Sequence, residues 1–154
     1  AAGMFRIALA KDTYASKDYL PGDVRYYRDG LNATITVEAR GDHRAIKANG
    51  KPEASSDDDM PSQILVGLAP LLLHDSPEDV ALIGFGSGVT AGAILQDRRV
   101  ERLTVVELER AMIEASAWFE DLNHGIPPVE NAHDSKKTMS ESVKNVVDTQ
   151  NNTP

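Results

Sequence analysis

The sequence predicts an α/β protein in which a small antiparallel β-meander is followed by an incomplete parallel sheet with helical crossovers. Three observations carry this reading. Val80-Ala81-Leu82-Ile83 is a short apolar run that breaks into Gly84-Phe85-Gly86-Ser87-Gly88, the pattern of a buried parallel strand meeting a tight turn into a helix. A second apolar run, Leu103-Thr104-Val105-Val106, ends on Glu107 after a helical stretch. Two strand-helix units in succession imply right-handed crossovers and a parallel sheet. Upstream, Asp29-Gly30, Gly41-Asp42 and Asn49-Gly50 punctuate residues 24–55, and such dipeptides supply the positive φ angles of short hairpin turns.

Taken in order, residues 1–23 carry little pattern, and Tyr19-Leu20-Pro21-Gly22-Asp23 reads as a turn. Ala33-Thr34-Ile35-Thr36-Val37 is rich in β-branched residues, and Arg44-Ala45-Ile46-Lys47-Ala48 alternates more weakly. A meander of this size cannot bury both faces, so one should lie against the next domain or a second chain. After the acidic loop Ser55-Ser56-Asp57-Asp58-Asp59, an aspartate cap and Pro61 open a helix over 60–73. Ile64, Leu65, Leu68, Leu71 and Leu72 give it a buried stripe. A strand over 80–85, a helix over 89–97, a strand over 102–107 and a helix over 109–120 follow. Beyond Asn123-His124-Gly125-Ile126-Pro127-Pro128 the sequence turns polar, with Ala132, Met139, Val143, Val146 and Val147 as isolated apolar residues. The expected organisation is a β-hairpin subdomain over 1–55, a partial Rossmann-like domain over 56–130, and a polar tail over 131–154 that is either a short helix or disordered.

Composition narrows the function. The 154 residues are 41% hydrophobic with a net charge of −8, and the pI is near 4.9. There is no basic stripe to displace phosphate counterions, which argues against nucleic acid. Acidity suits a cationic substrate, but most acidic proteins are merely soluble. The absence of cysteine excludes thiolate chemistry and fits a reducing, cytoplasmic setting. No apolar run reaches the length of about 18 residues that a membrane span needs. Ala1-Ala2-Gly3-Met4 does not open a signal peptide and reads as a cut inside a longer frame. His43, His74, His124 and His133 are too scattered for a zinc pattern, so no metal is expected.

The chemistry centres on the glycine turn. Gly84, Gly86 and Gly88 allow backbone conformations closed to other residues and let a ligand approach without meeting a Cβ atom. Glu107 follows at about the distance of 20 residues where a carboxylate on the next strand accepts from ribose hydroxyls. A dinucleotide site would place a third glycine at Val89, and a P-loop would place a lysine after Gly88; neither is present. A Gly-x-Gly-x-Gly turn with a ribose acid suits adenosine bearing a sulfonium side chain, as in S-adenosylmethionine. The bland alternative is a strand-turn-helix packed closely for its own sake. Asp57, Asp58 and Asp59 read as a solvated loop and cap sooner than as an amine-attracting rim. Tyr26, Tyr27, Trp118 and Phe119 read as packing residues, because nothing basic interleaves with them.

These motifs resemble the spermidine synthases, or polyamine aminopropyltransferases. The resemblance runs through Tyr27-Arg28-Asp29-Gly30-Leu31-Asn32-Ala33-Thr34, Asn49-Gly50-Lys51-Pro52, Asp59-Met60-Pro61-Ser62-Gln63 and Pro70-Leu71-Leu72-Leu73-His74. It continues through Ile83-Gly84-Phe85-Gly86-Ser87-Gly88-Val89-Thr90-Ala91-Gly92, Val105-Val106-Glu107-Leu108-Glu109 and Asn123-His124-Gly125. It is strongest toward members whose soluble domain is fused to membrane spans. It implies a β-hairpin domain before a Rossmann-like domain of the S-adenosylmethionine-dependent transferase type, often a homodimer. The co-substrate would be decarboxylated S-adenosylmethionine and the acceptor a polyamine. Glu107 would bind the ribose, Gly84, Gly86 and Gly88 the nucleoside, and Gln63 would line the cleft. Ser87 occupies a position that is commonly aspartate in the family, where the acid meets the aminopropyl ammonium. Ser62 likewise replaces the usual tyrosine. The family's proton-accepting aspartate follows a later strand, and no catalytic residue is found here. Val146-Val147-Asp148 offers an acid but no strand to present it. The resemblance thus implies a fragment that is inactive by itself. A methyltransferase relative that uses S-adenosylmethionine, and a non-catalytic assembly module of the same fold, stay open.

Overall fold

A computed structural model describes residues 22–126 and the backbone of residues 145–147. Four antiparallel strands come first, β1 (Asp23–Asp29), β2 (Thr34–Arg40), β3 (His43–Ala48) and β4 (Lys51–Ser55), paired in that order. The tight turns are built as the sequence indicates. Gly41 has φ 60°, and Asn49 and Gly50 have φ 52° and 79°, so the β3–β4 hairpin has the paired positive angles of a type I′ turn. The β1–β2 connection departs from the expectation. Gly30 is not in the left-handed region, and its turn closes through the Gly30 N–H donating to the Ala33 carbonyl at 2.9 Å. Glycine leaves room there for the Glu109 carboxylate, which a Cβ would displace.

Period-two alternation sends Ile35, Val37 and Ile46 to one face, each fully buried. They pack against Ala111, Met112, Ala115 and Phe119, so the meander lies against the next unit of the same chain. The weaker alternation of β3 has a cause on the other face. Lys47 is only 1% exposed and is paired with Glu38 at 2.8 Å, a buried charge tolerated because it is neutralised.

Helix α1 (Met60–Leu73) starts at the expected place, but Asp59 does not cap it with its side chain. Its carboxylate accepts instead from the Ser55 N–H, at 3.0 and 3.2 Å, and from the Ser55 hydroxyl. The stripe is also rotated. Gly67 and Leu71 are buried, whereas Ile64, Leu65 and Leu72 are exposed, as are Val66 and Leu73. Gly67 is the reason: a Cβ there would lie 2.9 Å from the Thr90 carbonyl oxygen. The neighbouring helix therefore packs closest at this residue and draws Gln63, Gly67 and Leu71 to the contact face.

Strand β5 (Asp79–Ile83) runs parallel to β6 (Arg102–Val106), with Val80 opposite Leu103 and Leu82 opposite Val105. Helix α2 (Val89–Leu95) crosses between them, and α3 (Arg110–Ala115) follows β6 and tightens into a 3-10 turn over Ser116–Phe119. Leu71, Phe85, Ala91, Ile94, Leu103, Val105 and Ile113 form the second core. Ile113 joins this core while Ala111, Met112 and Ala115 join the first, so α3 is the wall shared by both sheets. Strand β5 is covered on one face only, since Ile83 is 87% exposed, where a strand buried on both faces is the sequence expectation. Strand β7 (Asn145–Val147) pairs antiparallel with β6, in contrast to the reading of Val146-Val147 as strandless. Asp148 and the rest of the expected tail lie outside the described residues. No helix among the described residues is long and apolar enough to cross a membrane.

Candidate functional site

The glycine turn sits at the carboxyl end of β5, where ligands bind in open parallel sheets. Gly84, Gly86 and Gly88 have φ 88°, 58° and 83°, all in the region that L side chains avoid. Their surroundings differ. Among the described residues nothing lies within 4 Å of a Cβ built at Gly84 or Gly86, whereas one at Gly88 would meet the Asn123 amide at 3.0 Å and the Phe85 ring at 3.1 Å. The first two leave open backbone; the third permits packing and the left-handed start of α2. The Gly84 N–H donates to the Val106 carbonyl at 2.8 Å, tying the turn to the end of β6.

Glu107 leaves β6 at that point. Its Oε2 accepts from the Phe85 N–H at 2.7 Å and its Oε1 from the Glu109 N–H at 2.9 Å. A carboxylate offers about four acceptor sites, so the donors among the described residues leave about half of its capacity to another donor. The Ser87 hydroxyl donates to Gln63 Oε1 at 2.6 Å, and the Gln63 amide donates to the Ser55 carbonyl at 2.9 Å. The structure thus brings Gln63 and Ser87 together at the turn and sets Glu107 against Phe85. Ser87, 2% exposed, is fully engaged inside the fold.

Two residues that organise the site were not singled out from the sequence. Asn123, 1% exposed, donates through Nδ2 to the carbonyls of Ser87 at 3.0 Å and Ser116 at 3.2 Å. Glu109, 7% exposed, accepts from the backbone of Asn32, Ala33 and Ala111. An acid just before a helix is a readable capping signal, but its reach to the β1–β2 turn is not local information. Of the aromatic residues, Phe119 is core, Tyr26 is half-buried, and Tyr27 and Trp118 are 62% and 41% exposed. Burial, followed by the hydrogen bond to Glu114 at 3.0 Å, pushes the Tyr26 hydroxyl up to about 12. Another cleft, of about 520 Å³, is lined by Arg44, Trp118, Glu120 and Asp121 and includes no residue of the glycine turn. There the Arg44 guanidinium holds the Asp121 carboxyl below its ordinary range. Among the described residues no group of His, Asp and Glu side chains could hold a metal ion.

No protein-family model matches the chain. The chain is 31% identical over 87 residues to a polyamine aminopropyltransferase of Aeropyrum pernix, covering 56% of this chain and 27% of that protein. It is 27% identical over 100 residues to that of Archaeoglobus fulgidus, covering 65% and 37%. It is 39% identical over 61 residues to polyamine aminopropyltransferase 2 of Pseudomonas aeruginosa, covering 40% and 17%. The spermidine synthase from Thermotoga maritima superposes with a TM-score of 0.61 at 23% identity, over 66% of this chain and 37% of that one. A spermidine synthase in complex with the transition state analogue AdoDATO matches equally, with a TM-score of 0.61, 23% identity and coverage of 66% and 36%. The chain therefore spans about a third or less of the length of these relatives. Fold and site together define a Rossmann-like domain of the methyltransferase type preceded by an antiparallel sheet. Over the region they share, the chain is similar in sequence to polyamine aminopropyltransferases and in fold to spermidine synthase.

Proposed function

We propose that this chain is the nucleoside-binding part of an aminopropyltransferase of the spermidine synthase type, taking decarboxylated S-adenosylmethionine or methylthioadenosine at the glycine turn. The observation that carries the reading is the Glu107 carboxylate, fixed beside the turn by the Phe85 and Glu109 N–H groups with acceptor capacity to spare. In this reading ribose hydroxyls donate to Glu107, and the nucleoside lies against the open backbone of Gly84 and Gly86. Gln63, Ser87 and Gly88 hold the turn's shape. The relatives' names and the AdoDATO complex of a neighbour support the ligand class.

Aminopropyl transfer needs an amine nitrogen to attack the methylene next to a sulfonium and release methylthioadenosine. The amine must first lose its proton to a base. No described residue is assigned that task, and Ser87 brings no charge to meet the ammonium of the aminopropyl group. We expect this chain by itself to bind without transferring. The same neutral Ser87–Gln63 pair favours, as a second reading, a methyltransferase relative that takes S-adenosylmethionine. A homodimer, and a longer parent protein carrying membrane spans, belong to the first reading as proposals.

Calorimetric titration with methylthioadenosine, S-adenosylmethionine and its decarboxylated form tests both readings, with Glu107→Ala as the control. Binding lost in the variant supports the site, and preference for the decarboxylated form supports aminopropyl over methyl transfer. A folded sample that binds none of the three refutes both.

A further inference from the structure

We infer that Glu109 is a positioning residue, clamping the β1–β2 turn onto the end of β6 and so fixing the Glu107 carboxylate; its effect on ligand rests on the nucleoside reading above. One carboxylate oxygen of Glu109 accepts from the Asn32 N–H at 2.9 Å and the Ala33 N–H at 3.3 Å. The other accepts from the Ala111 N–H at 3.3 Å, in the first turn of α3. No ion pair to Glu109 forms among the described residues, so this buried acid is compensated by backbone N–H groups from two separate parts of the chain. Gly30 lacks a Cβ where the carboxylate seats. The Asn32 amide adds a second tie to the Leu108 carbonyl at 3.5 Å.

The same residue's own N–H donates to Glu107 Oε1, and the Phe85 N–H donates to Oε2. The β1–β2 turn, Glu109, Glu107 and the glycine turn therefore form one hydrogen-bonded chain. It crosses from the antiparallel sheet to the parallel one. A helix cap alone would need only Ala111. Holding Asn32 and Ala33 as well stops residue 109 from rotating, and that rotation would withdraw the N–H on which the orientation of Glu107 depends.

Glu109→Asp separates the two roles. Aspartate still caps a helix but is one methylene too short to reach Asn32 and Ala33 while doing so. Amide hydrogen exchange is measured by NMR on the whole chain for wild type, Glu109→Asp, Glu109→Ala and Glu107→Ala, with methylthioadenosine affinity measured on the same samples. In Glu109→Asp we expect Ala111 to stay protected and Asn32 and Ala33 to exchange faster. Phe85, which Glu109 does not touch, should exchange faster by about tenfold. The Kd for methylthioadenosine should rise by about tenfold. Faster exchange at Phe85 but not at Asn32 in Glu107→Ala gives the order of the chain. If Phe85 protection and affinity are unchanged while only Asn32 and Ala33 loosen, Glu109 merely anchors a turn and the inference is overturned. If wild type binds no methylthioadenosine, the nucleoside reading fails and Phe85 exchange alone decides the clamp. Should Glu109→Ala not fold, the aspartate variant carries the test.

Discussion

Asn123→Asp should destabilise the protein more than Asn123→Ala, and by an amount that depends on pH. The Asn123 amide nitrogen faces two carbonyl oxygens, those of Ser87 and Ser116, from a site that is 1% exposed. Alanine removes two hydrogen bonds worth about 1 kcal/mol each and leaves a small void, while also removing the unpartnered Oδ1; the net cost is about 2 kcal/mol. Aspartate keeps the shape but turns an acceptor toward two acceptors. It must bury a charge there or take up a proton. Holding a proton at pH 7 against an unfolded-state value of about 3.9 costs about 4 kcal/mol. The folded-state pKa of the new acid is raised. The variant is therefore most stable below about pH 3.9 and loses stability as pH rises, until the folded form also ionises. Urea unfolding at pH 7 and at pH 4 measures this, with an unchanged slope showing that only stability has moved. At pH 7 the aspartate variant should fall below the alanine variant, and at pH 4 the gap should close. Equal deficits at both pH values, or wild-type stability at pH 7, would refute the assigned role of Asn123.

Glu38→Ala strands Lys47 without the carboxylate 2.8 Å away and should cost about 3–5 kcal/mol in urea, with Glu38→Leu/Lys47→Met recovering most of it; a cost within noise would mean the pair is wet. Gly92→Ala gains about 1 kcal/mol of helix propensity but places a Cβ 2.6 Å from the Asn123 carbonyl oxygen. It should therefore lower the melting temperature, and a rise would contradict the close packing of α2 on that loop. Tyr26, pushed up to about 12 by burial and then by Glu114, holds its proton more tightly folded than unfolded. Stability should be flat below about pH 10 and fall by at most about 2–3 kcal/mol toward pH 12. Tyr26→Phe should abolish the Tyr26 part of that fall, and an ultraviolet titration with every tyrosine near 10 would count against it.

The sequence was most legible where one local rule suffices. The glycine turn, the alternation of β2 and the Asn49-Gly50 hairpin each follow from the backbone freedom or period of a few consecutive residues. The α1 stripe differs from its sequence pattern because five leucines and isoleucines outweigh one glycine on composition. Helix contact is set instead by where the backbones approach, at Gly67 and Thr90. The Asp29-Gly30 dipeptide predicts a turn angle, whereas Gly30 supplies room for an acid far along the chain. The weak alternation around Lys47 has no local explanation, because the partner that lets it be buried, Glu38, lies across the strand pair. Strand β7 has almost no strand signal of its own and pairs because the edge of β6 offers it hydrogen bonds. At the site, the glycines and Glu107 were visible as types at a spacing. Glu109 and Asn123 stand in the same motifs, but their roles are not legible there, because these depend on groups brought together only by the fold.

The central claim is that Glu107 holds ribose hydroxyls beside the glycine turn. The most direct test titrates methylthioadenosine and its 2′,3′-dideoxy analogue against wild type and Glu107→Ala. If the hydroxyls donate to this carboxylate, their removal costs about 1.5–3 kcal/mol in wild type, about 10- to 150-fold in Kd, and almost nothing in the variant. Equal loss in both proteins, or none in either, would contradict the account.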